Sequence, residues 1–228
     1  MRIDILSRGA FRSALVRLEG NDTFISESGA MFRASPNVDI DVTTRTKGKG
    51  GLLRGMKRLL GGESFFLSKY SLTDRAAGEV GLAPTLPGEV HEIALDGASE
   101  WITAGGSYLG SGGDVEIDTQ FQGVKGFFTG ESVFFLVARG RGPLLVSAFG
   151  TVREIEVDGE LTVDTSHLVA YEGSLHYRVG KIAGSWVQSF LSGEGLAIHF
   201  TGRGRVYVQS HAPNEFGRRL GPLLPQRN

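Results

Sequence analysis

The chain has 228 residues, a formal net charge of −1, 40% hydrophobic and 21% charged residues, and seven prolines. That balance excludes a disordered chain and gives no general electrostatic attraction to nucleic acid or to an anionic membrane. There is no cysteine, which excludes disulfides and thiolate metal sites and is compatible with a reducing compartment, so the default expectation is the cytoplasm.

Residues 1–14 mix charges with Ile3, Ile5 and Leu6 and hold no apolar core suited to export, and no run approaches 18 apolar residues. The expectation is a chain neither secreted nor membrane-spanning. Glycine is abundant, at 34 residues, with no collagen period and no Gly/Ser linker. This fits a chain that turns often and needs residues tolerant of positive φ.

Further along, Glu19 and Gly20 follow the alternating Val16 and Leu18, and predict a hairpin turn leading into an apolar strand from Phe24 and Ile25 to Gly29. The same company recurs as Asp96 and Gly97 after Ile93 and Leu95, with Trp101 and Ile102 running to Gly106. It recurs again as Asp158 and Gly159 after Ile155 and Val157, with Leu168 and Val169 running to Gly173. A Gly-Glu pair before an apolar run comes next in each case, at Gly62–Glu63, Gly130–Glu131 and Gly193–Glu194. From the turn glycine to this glycine the distances are 42, 33 and 34 residues. Each unit is expected to close with another hairpin, its turn at Arg139 to Gly142 in the second and at Gly202 to Arg205 in the third. Arginines of these turns are expected to point into solvent rather than to form an RNA-binding tract.

Three anchors in constant order predict three diverged copies of one unit of roughly seventy residues. The expected fold is all-β: three β-sandwich-like repeats packed as one rigid body, with short helical segments inserted. Their bounds are 14–88, including an insertion at 45–60, then 89–150 and 151–211, followed by a polar C-terminal tail at 212–228. Units this short leave edge strands that invite association. Stacking covers some of them within the chain, and the same contact reused between chains predicts a homo-oligomer closed as a symmetric ring or a trimer.

The insertion carries Arg45, Lys47, Lys49, Arg54, Lys57 and Arg58, six positive charges in fourteen residues without an acid. With Leu52, Leu53, Met56, Leu59 and Leu60 at helical spacing, it predicts a short basic amphipathic helix. Its basic face could meet an anionic lipid surface, a phosphate backbone or a partner, or simply be solvated while the apolar stripe docks on the β core. Equivalent places in the other units hold Phe127 and Phe128, and Trp186 with Phe190, apolar but not basic. Together these residues are candidates for an apolar interface as much as for core.

Glu63, Glu131 and Glu194 would form a metal or acid/base site if they converged on a threefold axis; otherwise they satisfy nearby backbone donors. Five histidines, His91, His167, His176, His199 and His211, show no paired ligand spacing, so local hydrogen bonds are expected of them. No nucleophile elbow, phosphate loop or dinucleotide fingerprint occurs. No catalytic, cofactor-binding or metal residue is therefore assigned, and no cofactor is expected.

The segments 50–58, 82–88, 115–119, 125–128 and 200–209 resemble a widespread bacterial and archaeal family of uncharacterised proteins that includes the mitochondrial protein named for altered inheritance of mitochondria. The resemblance implies a unit with the fold of the tryptophan RNA-binding attenuation protein, repeated within one chain and assembled as a trimer, and it implies no known activity. The functional expectation is a non-catalytic oligomeric binding or scaffold protein with a protein or membrane-surface partner, linked to membrane-associated assemblies. The alternative is an RNA- or anion-binding module that uses the basic insertion, and a third is an enzyme whose carboxylates or histidines meet only on folding.

Overall fold

A computed structural model describes residues 1–8, 11–43, 67–120, 135–181 and 196–225. The described residues are all-β apart from one short helix and three single 3-10 turns. In chain order the strands are β1 (Arg2–Arg8), β2 (Phe11–Leu18), β3 (Phe24–Glu27), β4 (Met31–Ala34), β5 (Val38–Thr43), β6 (Leu67–Leu72) and β7 (Gly78–Leu82). They continue with β8 (Val90–Asp96), β9 (Trp101–Ala104), β10 (Tyr108–Gly112), β11 (Glu116–Gln120), β12 (Phe135–Arg139) and β13 (Arg141–Ser147). The last four are β14 (Val152–Asp164), β15 (Leu168–Glu172), β16 (His176–Lys181) and β17 (Leu196–Gln209).

These strands form three antiparallel sheets. One has four strands in the order β1-β2-β7-β4, one has six in the order β5-β6-β3-β10-β13-β8, and one has seven, β11-β12-β9-β15-β17-β14 with β16 also on β17. Alternation decides which face is buried. In β2, Ala14, Val16 and Leu18 turn inward onto Phe24, Tyr70, Val80 and Leu82, while Arg17 stays outside. In β8, Ile93 and Leu95 pack with Trp101, Tyr108, Leu136 and Leu144. A third cluster gathers Ile102, Phe135, Tyr171, Ile198 and Phe200. β10 is buried along its whole length, as expected of a strand in the middle of a sheet with both faces covered.

The hairpin expectations are corrected. Gly20 and Gly97 do turn the chain with positive φ, 59° and 84°, but the strands on either side do not pair with each other. β2 pairs with β1 and β7, whereas β3 pairs with β6 and β10. β8 pairs with β13, whereas β9 pairs with β12 and β15. These turns are corners at which the chain leaves one sheet for another. At Gly159 there is no turn at all, because the residue lies inside β14. Likewise Gly202 to Arg205 lie inside the 14-residue β17, and Gly140 separates β12 and β13, which belong to different sheets. A glycine with φ of 107° at Gly140 or 115° at Gly202 redirects a strand between layers without reversing it.

Two further departures concern the termini. β1 pairs along its length with β2, so the four-stranded sheet begins ahead of the predicted boundary at residue 14. Beyond β17 the chain forms α1 (Pro213–Leu220), with proline in its first turn and Arg218 and Arg219 in its last, an arrangement that suits the helix dipole. Phe216 of α1 meets the ring of Phe149 at 5.2 Å, so the predicted polar tail is docked through an aromatic contact.

Candidate functional site

Every candidate contact named from the sequence, Arg45, Lys47, Lys49, Leu52, Leu53, Arg54, Met56, Lys57, Arg58, Phe127, Phe128, Trp186 and Phe190, lies outside the described residues, as do Glu63, Glu131 and Glu194. Among the described residues no group of three His, Asp or Glu side chains could hold a metal ion.

The described polar chemistry concentrates at three places. The first is the join between β8 and the seven-stranded sheet. His91 faces the same core as Ile93 and stacks on Tyr207 at 4.8 Å, and Trp101 lies 5.5 Å from the same ring. The Tyr207 hydroxyl donates to Glu154 Oε2 at 2.6 Å. Arg205, expected to be a solvated turn residue, instead lies over the Trp101 ring at 5.0 Å and donates to Glu172 Oε1 at 2.9 Å, while its own backbone N–H donates to Glu172 Oε2. Burial lowers the pKa of His91, and burial followed by the bond to Glu154 raises that of Tyr207. The hydrogen bond that Arg205 donates to Glu172 raises the arginine's pKa further. Glu154, Glu172, Arg205 and Tyr207 are bonded to one another within the seven-stranded sheet, and the His91 ring of β8 packs on Tyr207, so the cluster acts as a clamp between the two sheets through that ring contact.

The second place is the junction of β3 with β10. Ser26 Oγ and the Tyr70 hydroxyl are 3.0 Å apart, and the Tyr108 hydroxyl is 3.0 Å from Ser111 Oγ. Beside them, burial pushes the Glu27 carboxyl up to about 7. The third is the end of β17. Gln209 accepts from the Phe149 N–H and donates to the Ser166 carbonyl, both at 2.8 Å, and its own carbonyl lies 2.8 Å from His167 Nδ1. His199 Nδ1 lies 3.0 Å from Thr162 Oγ1, and His211 Nδ1 lies 2.8 Å from Ser210 Oγ. His167, His199 and His211 thus have the local partners expected of them.

The outer face of the four-stranded sheet is of a different character. A ladder of ion pairs crosses all four strands: Arg2 to Asp4, Asp4 to Arg17, Arg17 to Glu79, and Glu79 to Arg33. Arg17's hydrogen bond is the main influence that lowers the Asp4 pKa. Farther along the same face, by alternation from Asp4 and Leu15, come Leu6 and Phe11. Phe32 lies over Gly81, where an added Cβ would come within 2.7 Å of Phe32 Cζ. Phe11 is 64% exposed and Phe32 54%. No sequence motif marks this surface, because its members come from β1, β2, β7 and β4 and only sheet register brings them together.

These features define an all-β protein built from multiple antiparallel sheets, and among its described residues no helix is long and apolar enough to cross a membrane. The chain belongs to the family described as mitochondrial biogenesis AIM24, whose model matches residues 3–211. It is 29% identical over 231 residues, 99% of this chain and 92% of the relative, to an uncharacterised protein of Streptococcus pyogenes serotype M6. A crystal structure of a Streptococcus pyogenes protein solved in a structural-genomics programme superposes with a TM-score of 0.81 at 28% identity, covering 98% of this chain and 99% of that one. The family is one of unknown function.

Proposed function

We propose that this protein is a non-catalytic, oligomeric binding or scaffold protein built from three diverged copies of one β unit. The observation that carries the reading is the contrast between its polar groups and its open edge. Glu154, Glu172, Arg205, Tyr207 and Gln209 are engaged with one another or with backbone at the β14, β15 and β17 strands and their flanking turns, whereas among the described residues no strand pairs with the outer edge of β4, where Met31 is 36% and Phe32 54% exposed. An open strand edge flanked by apolar side chains is a template for association.

Support for three copies comes from the pairing scheme. β3 pairs with β6, β9 with β12, and the second half of β14 with the first half of β17. Similarly, β4 pairs with β7, β10 with β13, and β15 with the second half of β17. Light scattering on the full chain at micromolar concentration tests the assembly. A mass that is a multiple of 24.5 kDa, three being the expected number, supports the reading; a clean monomer removes it.

A further inference from the structure

We propose that copies of this chain join head to tail by strand addition, the outer edge of β4 in one copy pairing antiparallel with residues 160–164 of β14 in the next. The proposal rests on the oligomeric reading above and specifies the contact that makes the oligomer. Its ground is a junction that the chain already builds twice. β10 adds to β3 with Ser111 opposite Ile25, and β15 adds to β9 with Tyr171 opposite Ile102, each time fusing two groups of strands into one larger sheet.

A shared irregularity identifies the strands that can enter this junction. The register of β10 on β13 shifts between Tyr108 and Gly110, that of β15 on β17 between Leu168 and Ala170, and that of β4 on β7 between Met31 and Arg33. The residues at the three bulges are therefore Leu109, Val169 and Phe32. Leu109 and Val169 are 0% exposed, and Phe32 is 54% exposed. Met31 is 36% exposed where Tyr108 is 0% and Leu168 is 1%. β4 thus has the form of a junction strand with its partner missing.

The missing partner is also identifiable. β9 leads directly into a 3-10 turn, Gly105–Ser107, and the end of β14 leads directly into another, Thr165–His167. Among the described residues, 160–164 are paired with β17 on one side only, where β9 has both β12 and β15. Counting from the bulge and from the 3-10 turn places Ala34 opposite Thr162 and Arg33 opposite Val163. Charge agrees with the match: residues 31–34 contain Arg33 and no acid, and residues 160–164 contain Glu160 and Asp164 and no base. Because the two edges differ, the contact is heterologous, and copies add until a ring closes.

The chain has no cysteine, which permits a clean test. Ala34→Cys and Thr162→Cys are made as separate full-length variants, mixed in equal amounts and oxidised. Antiparallel neighbours lie within disulfide reach. A disulfide-linked dimer from the mixture, and not from either variant alone, is the expected result. An oligomer by light scattering with no mixed disulfide overturns this contact and leaves the oligomeric reading standing, while a monomer by light scattering overturns both. A double variant that closes the bond within one chain, leaving no linked dimer, also overturns the proposal. Phe32→Ser gives a second readout on a side chain that is 54% exposed, with at least a tenfold weaker association expected and an unchanged circular dichroism spectrum. Unaltered association of that variant contradicts the contact.

Discussion

Gly159 lies opposite Gly202 in the β14–β17 ladder, and both have positive φ, 118° and 115°. Two glycines facing each other in this region let a two-stranded ribbon bend while its ladder continues on both sides. The ladder runs from Val152 opposite Gln209 to Asp164 opposite Ala197. One half of β17 therefore serves β15 and the other half serves β16. Gly140, with φ 107°, marks the change of sheet between β12 and β13.

Gly202→Ala and Gly140→Ala separate strain from collision. At Gly202 an added Cβ meets nothing closer than 3.8 Å, whereas at Gly140 it falls 2.1 Å from the Asp114 carbonyl oxygen. Gly202→Ala is expected to cost about 1–2 kcal/mol from backbone conformation alone. Gly140→Ala must add a backbone displacement and lose distinctly more, or fail to fold. Urea unfolding of the two variants checks the order, and equal losses would contradict the geometry.

Glu27 gives a pH-dependent prediction. Its carboxyl is pushed up to about 7 by burial from an ordinary value of 4.5, so the folded state holds the proton more tightly than the unfolded state. Its contribution to stability is complete below pH 4.5 and is lost as pH rises through 7. Glu27→Gln removes that loss. The variant should be more stable than the parent at pH 8, by about 1–3 kcal/mol, with the advantage vanishing near pH 4. Thermal unfolding at both pH values tests this; an advantage that is the same at both would show that Glu27 is not the titrating group.

Arg203 and Arg205 look equivalent in the sequence and differ in the fold. The Arg203–Asp158 pair is exposed on both sides, at 83% and 74%, so Arg203→Ala should leave the unfolding midpoint within error. Arg205 covers Trp101 and serves Glu172, whose side chain is only 15% exposed. Arg205→Ala should cost about 1–2 kcal/mol, with a change in Trp101 fluorescence as the ring gains solvent. The difference between the two variants is read from their denaturation midpoints.

Much of the strand content was legible because alternation and glycine placement are local signals: Val16 and Leu18, or Ile93 and Leu95, announce a buried face without any knowledge of the partner. Which strand pairs with which was not legible. A glycine after an alternating run reads as a hairpin turn, yet the same residue type serves a corner between sheets at Gly20 and Gly97 and a bend within a strand at Gly159. Only long-range hydrogen bonding distinguishes these cases. The clamp of His91, Trp101, Glu154, Glu172, Arg205 and Tyr207 was invisible for the same reason, since it draws on five strands that the sequence does not order. The sequence-derived contact residues fall in segments outside the described residues, so the uncovered β4 edge and the face that carries Phe11 and Phe32 came from the fold alone.

Hydrogen exchange at β4 as a function of protein concentration tests the central claim most directly, because it reads the edge amides themselves. If β4 is a junction strand completed by another copy, the outward-facing amides of residues 31–34 and 160–164 gain protection together as concentration rises through the assembly range, while β10 and β15 stay protected throughout. Protection at those two edges that does not change with concentration, in a chain whose mass does, would contradict it.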